Sequence, residues 1–251
     1  LMLELNKIYN MDCIEGMKQI EDKSIDLVLT DPPYNISNYG NAITKKGNKI
    51  VRADFGEWDK WEDIDDYFKW TLKWIKEVDR ITKEGGSFYS FFDNHYADHI
   101  TYLVEKETNF RQKAPIVIVK NNPIPHVRKT NFRSAFERAT LFVKNIDKKP
   151  KTFNFLSQEE MVNVMYYNIG QKETSHPTEK PLSIIEKFIK ISSNEGDLVL
   201  DPFVGSGTTA VACINLKRNF IGFEISKEYC DIANKRIAEA QAQKKLDEVL
   251  P

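Results

Sequence analysis

One short string combines a carboxylate, two rigid peptide units and an aromatic ring: Asp31-Pro32-Pro33-Tyr34-Asn35, directly after the apolar run Ile25-Asp26-Leu27-Val28-Leu29-Thr30. Consecutive prolines fix φ, remove two backbone N–H donors and push the residue before each out of the helical region. The backbone is therefore stiff and its carbonyls are free to accept. Asp31 contributes a carboxylate and Tyr34 a flat ring at the carboxyl end of a strand. That set suits the holding of a planar amine by both of its hydrogens. An ordinary Pro-rich turn after a strand accounts for the string as well, so the string alone does not decide.

A second constellation lies far downstream. Leu198 to Leu200 reads as an apolar strand closed by Asp201, and Pro202-Phe203-Val204-Gly205-Ser206-Gly207 forms a glycine-rich turn. Thr208-Thr209-Ala210 then open a helix whose amino end carries unpaired N–H groups. Gly205 and Gly207 let the backbone approach a ligand closely. Ala210 stands where the dinucleotide fingerprint GxGxxG would have its third glycine. The strand Asn219 to Phe223 ends in Glu224, an acid 17 residues after Gly207, placed to accept hydrogen bonds from two ribose hydroxyls.

Together these residues make the chain resemble the β class of S-adenosylmethionine-dependent DNA amino-methyltransferases, in which the catalytic half precedes the cofactor half. The likeness covers nearly the whole chain. It rests on KIYNMDCIEGMKQIEDKSIDLVLTDPPYN from Lys7, HPTEKP at His176 to Pro181, DPFVGSGTT at Asp201 to Thr209 and IGFEIS at Ile221 to Ser226. What it implies is a site-specific methyltransferase acting on an exocyclic amine in double-stranded DNA, with Asp31, Pro32, Pro33 and Tyr34 at the reacting centre. Cofactor contacts are implied for Asp12 and Cys13 beside the adenine ring and for Thr178 and Lys180 near the methionine carboxylate. Asp31, Asp201, Phe203, Gly205, Ser206, Gly207, Thr208, Thr209 and Glu224 complete that set. His176 reads as a turn residue before Pro177 rather than as an acid–base catalyst. An aspartate opening the motif is usual in the family for adenine N6 and a serine commoner for cytosine N4, so adenine is expected and cytosine N4 is the alternative.

The chemistry of the amine is consistent with this. Its lone pair is delocalised into the ring, so it attacks a sulfonium methyl poorly. Hydrogen bonds from its two N–H groups to Asp31 and the Pro32 carbonyl draw the nitrogen towards a tetrahedral shape and stabilise the charge that develops on it. Direct in-line displacement follows, with positioning supplying much of the acceleration. None of Cys13, Cys213 or Cys230 follows a proline, unlike the nucleophile of cytosine-C5 enzymes. A base in a duplex must be flipped out to reach such a pocket. Stacking on Tyr34 recovers roughly 1–3 kcal/mol of the cost.

Charge is distributed unevenly along the 251 residues, whose net charge is −1. Between Lys106 and Lys149 eleven Lys or Arg face three acids, and Pro32 to Ala53 holds Lys45, Lys46, Lys49 and Arg52 without an acid. Both segments neighbour the catalytic string, which favours phosphate contact over a merely solvated face. His126, Arg128, Lys129, Asn131 and Arg133 of the basic loop are candidates for base edges or phosphates. Ser37 to Ala53 lacks periodicity and is expected to be a mobile loop that orders over DNA. The three cysteines form no CxxC pair, no apolar stretch approaches a membrane span and the amino end lacks a signal-peptide pattern. A reducing cytoplasm is the expected setting, with no membrane partner. No metal-ligand spacing is present and no metal is expected. Dimers are common in the class, so a homodimer and a cognate restriction endonuclease are implied partners.

Alternating signals predict strands at 25–30, 86–92, 115–120, 139–144, 197–201 and 219–224, and helices at 62–81, 94–107, 179–193, 207–217 and 226–244. Three-to-four spacing of Ile64, Tyr67, Phe68, Leu72, Ile75 and Val78 assigns Trp61, Trp70 and Trp74 to packing. These signals give an α/β fold, and the family resemblance implies its detail: a mostly parallel seven-stranded Rossmann-like sheet with one antiparallel edge strand, permuted motif order and a small inserted recognition region. One domain over 1–251 is expected, with a catalytic half at 1–110, a sheet-edge hairpin with its basic loop at 111–144, a target-recognition region at 145–175 and a cofactor half at 176–251. Rivals are a methyltransferase for RNA or for a protein glutamine amide, whose related loops commonly open with asparagine, and a non-catalytic DNA-binding specificity partner.

Overall fold

The structure is a computed structural model that describes residues 3–35, 43–46, 49–52, 61–125, 129–130, 132–145, 150–169 and 180–249. In chain order the elements are β1 (Lys7–Tyr9), α1 (Cys13–Met17), β2 (Ile25–Thr30), β3 (Ile43–Lys46), β4 (Lys49–Arg52), α2 (Ile64–Ile81), β5 (Thr82–Phe92), α3 (Ala97–Glu107), β6 (Phe110–Lys120) and β7 (Phe136–Lys144), then β8 (Val164–Tyr167), α4 (Leu182–Ser192), β9 (Leu198–Asp201), α5 (Thr208–Asn215), β10 (Asn219–Phe223) and α6 (Lys227–Val249).

Eight strands form one sheet in the order β1-β10-β9-β2-β5-β7-β6-β8. The strands from β1 to β5 in that order are mutually parallel, β7 is antiparallel to both of its neighbours, and β8 is parallel to β6. Two apolar layers cover the faces, as a buried parallel sheet requires. One joins Leu27, Tyr89, Val199, Phe188 of α4, Ala212 of α5 and Ala233 of α6. The other joins Val28, Phe88, Leu200, Met17 of α1, Trp74 of α2 and Ile100 of α3.

The α/β class, the parallel sheet and its reversed strand agree with the sequence, and two details differ. The sheet has eight strands rather than seven, and the reversed strand β7 lies between β5 and β6 instead of at the edge. The inner place of β7 follows from β6, which pairs along its outer side, and the eighth strand is β8, whose four residues lie in the polar stretch that shows no periodic pattern. It pairs with β6 from Val117 to Lys120, so its existence depends on a distant partner and not on its own sequence. β1 and α1, of three and five residues, are too short to leave a pattern. Within the loop expected at Ser37 to Ala53, the described residues form the hairpin β3–β4, pairing Thr44 with Val51 and Lys46 with Lys49.

A parallel sheet gathers the carboxyl ends of its strands, and the loops that follow them, along one edge. Here β1, β10, β9 and β2 are consecutive neighbours. Asp12, Glu224, Asp201 and the Asp31 string each end or follow one of them within three residues, so residues more than 200 positions apart in the chain meet along that edge.

Candidate active site

Along that edge lies a cavity of about 340 Å³. Its wall includes Asp12, Cys13, Asp31, Pro32, Pro33, Tyr34, Lys180, Asp201, Phe203, Gly205, Ser206, Thr208, Thr209 and Glu224, all singled out from the sequence. Gly207 stands immediately behind the wall. Its φ of 89° is costly for any other residue, and a Cβ there would lie 2.9 Å from that of Ala233. Glycine thus lets the amino end of α5 press against α6 while the loop stays close to the cavity.

The floor beneath the glycine loop is a set of short hydrogen bonds. Asp201 accepts from the Thr30 hydroxyl at 2.7 Å and from the Phe203 N–H at 3.0 Å. Burial pushes its carboxyl up to about 6, although the Thr209, Thr30 and Phe203 donors offset part of the effect. Glu224 takes the Gly205 N–H at 2.9 Å on one oxygen and the Ser226 N–H at 2.8 Å on the other. Each oxygen retains a lone pair for a ribose hydroxyl. Burial also raises the Glu224 carboxyl, against the backbone donors. Asp12 caps α1 by accepting from the N–H groups of Ile14 and Glu15. The Cys13 thiol is raised by burial and so is kept from reacting as a thiolate.

The Asp31 string forms the opposite wall. The Tyr34 hydroxyl donates to Asp31 Oδ1, and the Lys180 ammonium sits 2.6 Å from Asp31 Oδ2. The Tyr67 hydroxyl of α2 donates to the Pro33 carbonyl at 3.1 Å, whereas no described residue donates to that of Pro32. Buried Asn35, with φ 57°, ends the string and accepts from the Trp61 N–H at 3.0 Å. Burial raises the Asp31 carboxyl above its usual range, and Lys180 and Tyr34 only partly offset it.

Several of these contacts were not legible in the sequence. Lys180 also lies 3.2 Å from Glu137 of β7, which meets Lys120 at 2.8 Å and the Tyr167 hydroxyl at 3.1 Å. Arg236 of α6 is buried and donates to the Ser206 carbonyl at 2.9 Å and the Thr208 hydroxyl at 3.2 Å, bracing the glycine loop from behind. The tryptophans divide. Trp74 is fully buried, as its spacing predicts, but Trp61 and Trp70, with ring centroids 4.7 Å apart, also line the cavity. Trp61 precedes α2 and Trp70 lies in its second turn, so helical spacing assigns their face but not their depth.

Of the residues proposed to meet DNA, Lys129 and Arg133 are exposed in the β6–β7 loop. Lys45, Lys46, Lys49 and Arg52 fall on the backbone of the β3–β4 ribbon. Thr178, His176, His126, Arg128 and Asn131 lie outside the described residues. Among the described residues no cluster of His, Cys, Asp or Glu is arranged to hold a metal ion, and no helix is long and apolar enough to cross a membrane.

A family profile described as DNA methylase matches residues 25–235. The chain belongs to that family. It is 35% identical over 252 residues to the type II methyltransferase M.HinfI of Haemophilus influenzae, covering 94% of this chain and 69% of that one. To the type II methyltransferase M2.DpnII of Streptococcus pneumoniae it is 32% identical over 240 residues, covering 92% and 88%. Among solved structures, the M1.HpyAVI–SAM complex superposes with a TM-score of 0.71 at 32% identity, covering 92% of this chain and 98% of the other. The cytosine-N4-specific PvuII DNA methyltransferase shares the fold, with a TM-score of 0.72 at 19% identity and coverage of 96% and 93%.

The β-class amino-methyltransferase resemblance drawn from the motifs therefore holds, and the cofactor is S-adenosylmethionine. The cavity suits it. An acid with free lone pairs, a loop with positive φ at Gly205 and Gly207, and a helix amino end are the parts a nucleoside with a charged tail needs.

Proposed function

We propose that this DNA methyltransferase modifies the exocyclic N6 of adenine in double-stranded DNA, with the base turned out of the helix into the cavity. The observation that carries the reading is that Asp31 and the glycine loop line one and the same hollow. When bound, S-adenosylmethionine supplies a methyl group on a positively charged sulfur, which is electrophilic without further activation. Glu224 takes the ribose hydroxyls, and Asp12 and Cys13 flank the adenine ring. Thr178, Lys180 and the loop residues Phe203, Ser206, Thr208 and Thr209 hold the remainder.

On the other wall Asp31 accepts one N–H of the target amine and the Pro32 carbonyl accepts the second. Two acceptors fixed by a stiff double-proline backbone pull the amine out of conjugation and favour the charge that grows on it. The Tyr34 ring offers a stacking face, and its hydroxyl keeps Asp31 oriented. The amine attacks directly, so no enzyme nucleophile is required, in keeping with the buried Cys13, Cys213 and Cys230. The opening aspartate supports adenine over cytosine. Exposed Lys129 and Arg133, with Lys45, Lys46, Lys49 and Arg52 of the ribbon, provide phosphate contacts, and the region before residue 176 reads the sequence.

Nucleoside mass spectrometry of duplex DNA treated with enzyme and cofactor tests this. The expected product is N6-methyladenine; N4-methylcytosine without N6-methyladenine overturns the choice of base. Asp31→Ala is expected to bind cofactor and yield no product, and full turnover by that variant overturns the mechanism.

A further inference from the structure

Around Asp31 and Lys180 at the cavity wall stands a cluster of groups, of which Glu137, Lys120 and Tyr167 are not used by the reaction as described. Lys180 bridges two carboxylates, Asp31 at 2.6 Å and Glu137 at 3.2 Å, and only 10% of its side chain is exposed. Glu137 in turn meets Lys120 at 2.8 Å and the Tyr167 hydroxyl at 3.1 Å. The topology makes this meeting possible. β7 runs against the other strands, so its beginning lies beside the carboxyl ends of β6 and β8, where Lys120 and Tyr167 are the last residues. Glu137 is the second residue of β7. β8, within the stretch 145–175 expected to read the sequence, thus ends on the group that holds the lysine of the catalytic aspartate.

A cluster this rich in buried charge is poor value as mere structural glue, because desolvating each ion offsets most of the attraction and apolar side chains pack as well. Its position suggests a use. An ammonium ion given wholly to Asp31 would neutralise the carboxylate and draw electron density away from the target amine. Shared with Glu137, it is not given wholly to Asp31, and with Lys120 beside Glu137 the two carboxylates and two ammonium ions balance. Without the Glu137 charge the cluster would be net positive and would oppose the positive charge that grows on the attacking nitrogen. Resting on the proposed role of Asp31, we propose that Glu137 is a positioning residue for the reaction, holding Lys180 between two carboxylates so that Asp31 keeps its strength as an acceptor for the amine.

Glu137→Gln keeps the shape and removes the charge. It is expected to slow single-turnover methyl transfer, measured at saturating cofactor, about 10- to 100-fold, the scale of one charged hydrogen bond, with the melting temperature unchanged. The acid limb of the rate against pH should move to lower pH. The groups facing Asp31 are Tyr34 on its own loop, Lys180 before α4, Glu137 of β7, Tyr167 of β8 and Asp201 of β9, with Lys120 of β6 behind Glu137. Of these only the Glu137 charge is altered, and it is one that raises the Asp31 carboxyl. Tyr167→Phe, which removes one donor to Glu137, should change the rate in the same direction and by less. A wild-type rate and acid limb in Glu137→Gln overturn the proposal, as does a rate that saturating cofactor restores, which would mark a role in cofactor binding alone. Asp31→Asn in the same assay separates the two readings. If it is inactive while Glu137→Gln is normal, only the role of Glu137 falls. If it is fully active, the role of Asp31 falls first.

Discussion

The two walls of the cavity are built in different ways. On the cofactor side most contacts are local: Asp201 caps the N–H of Phe203 two residues on, Glu224 reaches Gly205 across 19 residues and Ser226 across two, and only the Thr30 hydroxyl on Asp201 comes from far along the chain. Most partners there are backbone N–H groups, whose positions follow once the strand, turn and helix have formed. On the substrate side Asp31 is held by a lysine 149 residues away, itself shared with a glutamate on another strand. That wall exists only after the whole sheet has assembled. A wall of local backbone contacts can bind its ligand whatever happens at the far edge of the sheet, while a wall of long-range ion pairs can respond to events there.

If the walls are independent, damage to one should leave the other working. The largest effect is expected from Asp31→Ala, which should cut turnover by about 10²- to 10³-fold or more, as for the loss of a preorganised group at a developing charge. Isothermal calorimetry should find its cofactor affinity unchanged, and a matching fall in affinity would break the distinction between the walls. Glu224→Gln is the converse experiment. It should weaken cofactor binding by about 10- to 100-fold through loss of charged hydrogen bonds, while the rate at saturating cofactor stays near normal.

That difference in construction also explains what could be read from the sequence. The glycine loop, Asp201 and Glu224 could be placed because strand, turn and helix signals follow one another within about 25 residues of chain. The Asp31 string was legible for the same reason, since prolines mark a stiff turn wherever they occur. Glu137 was one acid in a basic stretch, and nothing nearby announces a partner 43 positions downstream at Lys180. β8 was missed because four residues carry no periodicity of their own, and with it went the eighth strand; the inner place of β7 was missed because a hairpin signal for β6 and β7 does not say which of the two meets β5. Arg236 looks like any helix arginine until α6 is packed against α5.

Two smaller effects sharpen the picture of the cofactor wall. Gly207→Ala forces a side chain into a left-handed backbone and against Ala233, at a cost of about 1–3 kcal/mol. A thermal melt should show a drop of about 2–4 °C for each kcal/mol lost. Asp201 gives the subtlest test. Its folded carboxyl sits at about 6 against 3.8 for the free group, so the folded state holds the proton more tightly across that interval. Its contribution to stability is therefore present at low pH and is lost as the pH rises through 6. Denaturant titrations should show that Asp201→Asn removes this slope, and an unaltered slope would place the titration elsewhere.

The pH dependence of turnover carries the opposite sign. Asp31 must be ionised to accept an N–H, and burial holds its carboxyl above the usual range. The rate is expected to fall as the pH drops through that raised value, and a rate that stays level down to the ordinary aspartate range of about 3.9 would contradict it.

The most direct measurement is a crystal structure with duplex DNA and an unreactive cofactor analogue. An adenine turned out of the helix, its N6 within hydrogen-bond reach of Asp31 and the Pro32 carbonyl and facing the sulfur position, is the expected result. A base left stacked in the duplex, or lodged away from Asp31 with the analogue in place, would contradict the account.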